Sequence, residues 1–100
     1  MELYERRGLM TKDEFVKKLI VAQENLHKVE IHIESSGVII RDCFIIDNLI
    51  VEDDCVEIIS GNKIVSINSI DKIQFNTVDE CYMLTEKDMS VIIFVHDNLI

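Results

Sequence analysis

Proline and tryptophan are absent from this sequence, and glycine occurs only three times, at Gly8, Gly37 and Gly61. A chain without proline has no Pro-rich linker, which fits one body joined by short turns. Three scattered glycines cannot form a Gly-rich phosphate-binding loop. Four Phe and two Tyr make a poor set of platforms for stacking nucleic-acid bases. The longest apolar run is Val91 to Val95, far short of the roughly 20 residues that a membrane helix requires. Met1 to Met10 is charged and lacks an apolar centre, so it does not read as a signal peptide. The three cysteines, Cys43, Cys55 and Cys81, are an odd number without paired spacing. This predicts reduced thiols and a cytoplasmic protein. Basic residues are also scarce. Residues 29–100 hold fourteen acids against Arg41, Lys63, Lys72 and Lys87, a net of −10, while residues 1–28 carry +1. A body this acidic repels phosphate backbones, so direct nucleic-acid binding is disfavoured.

What the chain has in quantity is β-branched residues. Ile and Val supply 27 of the 100 positions, against seven Leu and one Ala, and such side chains pack well on pleated sheets. Before them comes one helical segment. Thr11-Lys12-Asp13-Glu14 has the form of a capping box. Phe15, Leu19, Ala22 and Leu26 then recur at helical spacing, flanked by Val16 and Ile20. The expectation is an N-terminal arm over 1–10 and a single domain over 11–100, with an amphipathic helix at 11–28 and a β body at 29–100.

From Val29 the period changes to two. Val29 to Glu34 alternates without a fault, Ser35-Ser36-Gly37 is a turn, and Val38 to Ile46 is a long second strand. Asp47-Asn48 predicts a tight hairpin into Leu49 to Glu52. Asp53-Asp54 predicts a bulge or bend before Cys55 to Ile59, and Ser60 to Lys63 a turn into Ile64 to Asn68. Ser69 to Lys72 suits one helical turn before Ile73 to Phe75, and Cys81 to Leu84 with Met89 to Val95 predicts a closing hairpin. The fold class is therefore α+β, mainly β: a helix followed by a small barrel or a bent antiparallel sheet with an extra C-terminal hairpin. Phe44 to Ile50 also matches Phe94 to Ile100 at five of seven positions, which we read as reuse of one strand-turn solution in preference to the alternative, an internal duplication.

The order of a capped helix, Val29 to Glu34, the Ser35-Ser36-Gly37 turn, a long strand through Ile46 and then Ile64 to Ile73 resembles the Sm-like fold. This is the SH3-like small barrel of Sm proteins and the RNA chaperone Hfq. The resemblance covers about residues 11–75 and implies ring-forming homo-oligomers, with RNA bound by loops that here would be Asp47-Asn48 and Asn68-Ser69. The sequence departs from that pattern. Val38 to Ile46 lacks the glycine common in the bent strand, and neither loop carries the usual basic residues.

No catalytic constellation stands out, so the expectation is a protein that is not an enzyme. His27, His32 and His96 lack metal-ligand spacing with the cysteines, Cys43 and Cys55 read as small core residues, and no metal or cofactor is expected. Three binding functions follow. The first is a self-associating protein-interaction module, with Val91, Ile93 and Val95 on a strand apolar on both faces and covered by a second copy. The second is an acidic inhibitor that imitates nucleic acid, in the manner of anti-CRISPR proteins of phages and mobile elements. It would present Glu30, Glu34, Asp42, Asp47, Glu52, Asp53, Asp54 and Glu57 to a basic, nucleic-acid-binding protein. The third is Sm-like RNA binding through Arg6, Arg7, Lys12, Lys17 and Lys18.

Overall fold

A computed structural model describes residues 2–96, with side chains from residue 12 onward. One helix, α1 (Glu2–Asn25), precedes eight strands: β1 (Lys28–Ser35), β2 (Val38–Ile45), β3 (Asn48–Val51), β4 (Cys55–Ser60), β5 (Lys63–Asn68), β6 (Gln74–Asn76), β7 (Cys81–Glu86) and β8 (Met89–His96). The strands form two antiparallel sheets, one of order β2-β1-β8-β7-β6 and one of order β3-β4-β5. The class is α+β and mainly β, with no closed barrel. No described helix is long and apolar enough to cross a membrane.

Helix α1 departs from expectation at both ends. It begins at Glu2, so 1–10 is not a separate arm and Thr11 to Glu14 lies inside the helix. Glu, Leu, Arg and Met dominate the preceding segment and are good helix formers, and a lone Gly8 costs only about 1 kcal/mol. A capping-box pattern does not stop a helix that already has residues to extend into. At the other end the helix stops at Asn25, and Leu26 turns left-handed with φ 58°. The Leu26 N–H donates to Gln23 O and the His27 N–H to Ala22 O, at 3.4 and 2.9 Å. This is a Schellman closure, in which glycine is the usual left-handed residue. Leu26 is consequently 63% exposed and off the apolar stripe. Leu26→Gly is expected to raise stability by about 0.5–1 kcal/mol, because it relieves a left-handed conformation that costs an L-residue roughly that much or more. A thermal melt checks it as a rise of about 4 °C.

In the sheets the two-residue rhythm holds. Ser36 and Gly37, at φ 51° and 83°, make a two-residue turn that pairs Ser35 with Val38. Positive φ at both central positions matches the twist of a tight hairpin, and Gly37 takes it without steric cost. A short 3-10 turn at Ile70–Lys72 lies where one helical turn was expected, and β7 and β8 form the expected hairpin.

The Asp47-Asn48 hairpin is not formed. Strand β2 pairs with β1, β3 pairs with β4, and neither Asp47 nor Asn48 takes positive φ. Here the chain crosses from one sheet to the other. Ile46 drops into the core, the Asp47 N–H donates to Ile59 O at 2.8 Å, and an Asp47 carboxylate oxygen accepts from the Gly61 N–H at 2.5 Å. Asp47 thus ties the crossing to the end of the β4–β5 hairpin.

The core lies between the two sheets and under α1. The helix contributes Phe15, Leu19 and Ala22, the larger sheet Val29, Ile31, Phe44, Tyr82, Leu84, Val91 and Ile93, and the smaller sheet Val56, Ile58 and Ile67. Ile46, Ile70 and Ile73 plug the connections. Asp97 to Ile100, the end of the short internal match, lie outside the described residues.

Candidate interaction surface

The open edge of the larger sheet is the most unusual surface of the molecule. Strand β2 is bonded to β1 along its whole length, and among the described residues no strand pairs with its other side. Val38, Ile39 and Ile40 on this edge are 59%, 55% and 55% exposed. Natural edges are usually blunted by lysine, proline, a bulge or a covering element. This edge carries only Arg41 as a cation, and Arg41 is likewise exposed.

The peptide groups on that edge are partly engaged. A two-residue hairpin closes on a hydrogen-bonded pair, here Ser35 and Val38, and alternate residues then point their N–H and C=O groups inward and outward. Ile39, Arg41, Cys43 and Ile45 therefore face outward. Two of these positions are already satisfied: the Cys43 N–H donates to an Asp42 carboxylate oxygen at 2.9 Å, and Ile45 O accepts from the Ser60 hydroxyl at 2.7 Å. What is open is the first half of the strand, where the three apolar side chains also lie.

The eight carboxylates singled out from sequence do not form one face. Glu30 and Glu34 stand on the outer side of β1, since the alternating Val29 and Ile31 are buried. Asp42 faces the gap between the sheets, where Lys63 Nζ reaches it at 2.7 Å. That contact is the main reason its carboxyl titrates below the usual range, with the Cys43 N–H adding to it. Asp47 is held at the crossing. Glu52, Asp53 and Asp54 are exposed around the β3–β4 turn, and Glu57 follows on β4, with a Ser66 hydroxyl donating to it at 3.4 Å. These last residues do share a neighbourhood. Cys55 is pushed upward by burial and then by the negative field of Glu52, Glu57 and Asp54.

The outer face of β1 and β8 carries a second grouping. His32 Nε2 lies 2.5 Å from one oxygen of Glu30 and His96 Nε2 lies 2.8 Å from the other. The Phe94 ring sits between the imidazoles, 5.5 Å from His32 and 6.2 Å from His96. The His32 hydrogen bond, then that of His96, holds the Glu30 carboxyl below its ordinary value. Each histidine takes a separate carboxylate oxygen, so the group is a clamp across two strands. Among the described residues no cluster of His, Cys, Asp and Glu is arranged to hold a metal ion.

Val91, Ile93 and Val95 are not a surface. Strand β8 is paired on both sides, by β1 and β7, and Val91 and Ile93 are core side chains with Val95 packed against them. The apolar outer face of β8 is half-covered within the same molecule, by the clamp around Phe94. The cysteines also differ from expectation. Cys43 is exposed and Cys55 half-buried, because both lie off the inward-facing row of their strands, and Cys81 is the buried one. Of the basic helix residues, Lys12 Nζ donates to Asp53 O, and Lys17 and Lys18 rim a shallow hollow of about 400 Å³ with Glu14, Val21, Phe75 and Tyr82. Arg6 and Arg7 fall outside the residues whose side chains are described.

Sequence reading missed Val38, Ile39 and Ile40 as a surface. The available signal was three consecutive apolar residues in a strand, since alternation forces at least one of them outward. No protein-family model, curated protein or solved structure matches the chain.

Proposed function

We propose that this protein is a non-enzymatic, self-associating protein-interaction module that uses the free edge of its larger sheet. The observation that carries the reading is the exposure of Val38, Ile39 and Ile40 on the side of β2 that no strand among the described residues pairs with. Covering that side removes apolar surface from water, about 25 cal/mol for each Å², and gives its N–H and C=O groups strand partners. Two copies each carrying −9 repel, and salt screens that repulsion over a Debye length of about 10 Å at 0.1 M. Self-association is therefore expected to strengthen with salt. Sedimentation equilibrium at about 0.05 and 0.5 M salt tests this, with a larger dimer fraction expected at the higher value. A strict monomer up to high micromolar concentration at both salts would overturn the proposal.

A second reading rests on Glu52, Asp53, Asp54 and Glu57, which cluster around the start of β4, with the field of Glu52, Glu57 and Asp54 felt at Cys55. It makes this end of the smaller sheet the contact for a basic, nucleic-acid-binding protein. Its salt dependence is opposite in sign, because attraction between opposite charges is screened. Affinity for such a partner that stays constant as salt rises would sink it.

A further inference from the structure

The geometry points to one arrangement of the dimer: two β2 strands joined antiparallel about a two-fold axis at Ile40, making a continuous ten-stranded sheet. This rests on the self-association reading above and adds the register to it.

A two-fold axis that continues a sheet antiparallel must stand perpendicular to it, so each outer face stays outer. Residues directly opposite each other then lie on the same face, and the axis must pass through a residue position, not between two. The candidates along the exposed strand are positions 39 to 42. An axis at Arg41 sets Arg41 against its own copy, and an axis at Asp42 sets two carboxylates together. Like charges directly opposite destabilise a sheet. Both also need the Cys43 N–H, which is taken by Asp42, and the axis at Asp42 further needs Ile45 O, which is taken by Ser60. An axis at Ile39 aligns only positions 38–40 before the strand gives way to the Ser36-Gly37 turn.

The axis at Ile40 meets none of these obstacles. Ile39 lies opposite Arg41 of the second copy, and Arg41 opposite Ile39 of that copy. These are the outward-facing positions whose backbone groups no strand among the described residues engages, so each pair exchanges two N–H···O=C bonds. Ile40 lies opposite Ile40 in a non-hydrogen-bonded pair, where Cα atoms come within about 4.5 Å and side chains meet closely. Val38 lies opposite Asp42, whose charge is already answered by Lys63 at 2.7 Å. Charge also matches on the outer face. Ile39 is flanked within its own sheet by Glu34, so Arg41 of the second copy, one strand beyond, has that carboxylate within reach across Ile39. The contact is made twice by symmetry. An axis at Asp42 would also bring Arg41 near an acid, Glu30 across Cys43, but both oxygens of that carboxylate are already held by His32 and His96.

Disulfide trapping tests the register. With Cys43→Ser and Cys55→Ser in place and the buried Cys81 retained, single variants Ile40→Cys, Arg41→Cys and Asp42→Cys are oxidised at a concentration where sedimentation shows dimer. Ile40→Cys is expected to cross-link at least ten times faster than the other two, because a Cα separation of about 4.5 Å lies inside the range a disulfide spans. Faster trapping through Arg41→Cys or Asp42→Cys overturns the register, as does a persistent dimer that none of the three traps. Both outcomes leave self-association standing, whereas a strict monomer removes both. Should Ile40→Cys weaken the dimer, an isotope-filtered NOE between Ile40 Hα atoms of labelled and unlabelled native chains reads the same contact, and its absence in a dimer counts against the axis.

Discussion

Replacing Phe15 with alanine is expected to lower stability by about 3–5 kcal/mol, a fall in melting temperature on the order of 20 °C for a domain of this size. Phe15 is wholly buried and stacks tilted on Tyr82 with ring centroids 5.0 Å apart, and Tyr82 meets Phe75 at the same distance. Removing it takes away the buried end ring of a three-ring stack centred on Tyr82 and loosens the seat of α1, whose other fully buried described residues are Leu19 and Ala22. Since whole domains are stable by only about 5–15 kcal/mol, one such cavity removes a large fraction of the total. Ile20→Ala is the control. Ile20 lies on the same helix but is partly exposed, and its loss is expected to cost about 1 kcal/mol or less. Chemical denaturation of both variants decides the matter, and equal losses would mean that α1 does not dock through Phe15.

The second large effect concerns association, not folding. Ile40→Lys is expected to weaken the dimer by at least about 100-fold while leaving the unfolding midpoint within a few degrees of the native protein. Ile40 is 55% exposed, so the fold loses little, whereas at the two-fold axis the substitution sets two ammonium groups opposite each other at strand spacing. Lysine on an edge is also a common natural device against edge pairing. Ile64→Lys, on an exposed residue of the smaller sheet, should leave association unchanged. Sedimentation equilibrium on the three proteins tests the site, and an unaltered dissociation constant for Ile40→Lys would take β2 out of the contact.

Local signals in the sequence were good guides where local physics decides the outcome. The alternation from Val29 to Glu34, the positive-φ pair Ser36-Gly37 and the hairpin of β7 and β8 all depend on residues close in sequence, and all are present. Asp47-Asn48 misled because a turn and a sheet crossing use the same short polar residues, and only the burial of Ile46 separates them. Val91 to Val95 has two apolar faces because β8 is central to its sheet, a fact of strand order that no single strand reveals. The acidic residues look like one row along the chain, yet consecutive strands were dealt to different sheets. The candidate surface was hidden for the same reason: three apolar residues are visible in the sequence, but their being at an edge is not.

The pairing of β1 with β8 joins Ser35 to Met89 and Lys28 to His96, positions more than fifty residues apart. The tight hairpins can zip on the microsecond scale, about 1–10 μs each, but this central seam must wait for a long loop to close. Such topologies fold in milliseconds to seconds. During synthesis, β1 and β2 therefore emerge as a two-stranded ribbon with both long edges bare until β8 arrives, and that interval is when an Ile-rich chain is most exposed to aggregation.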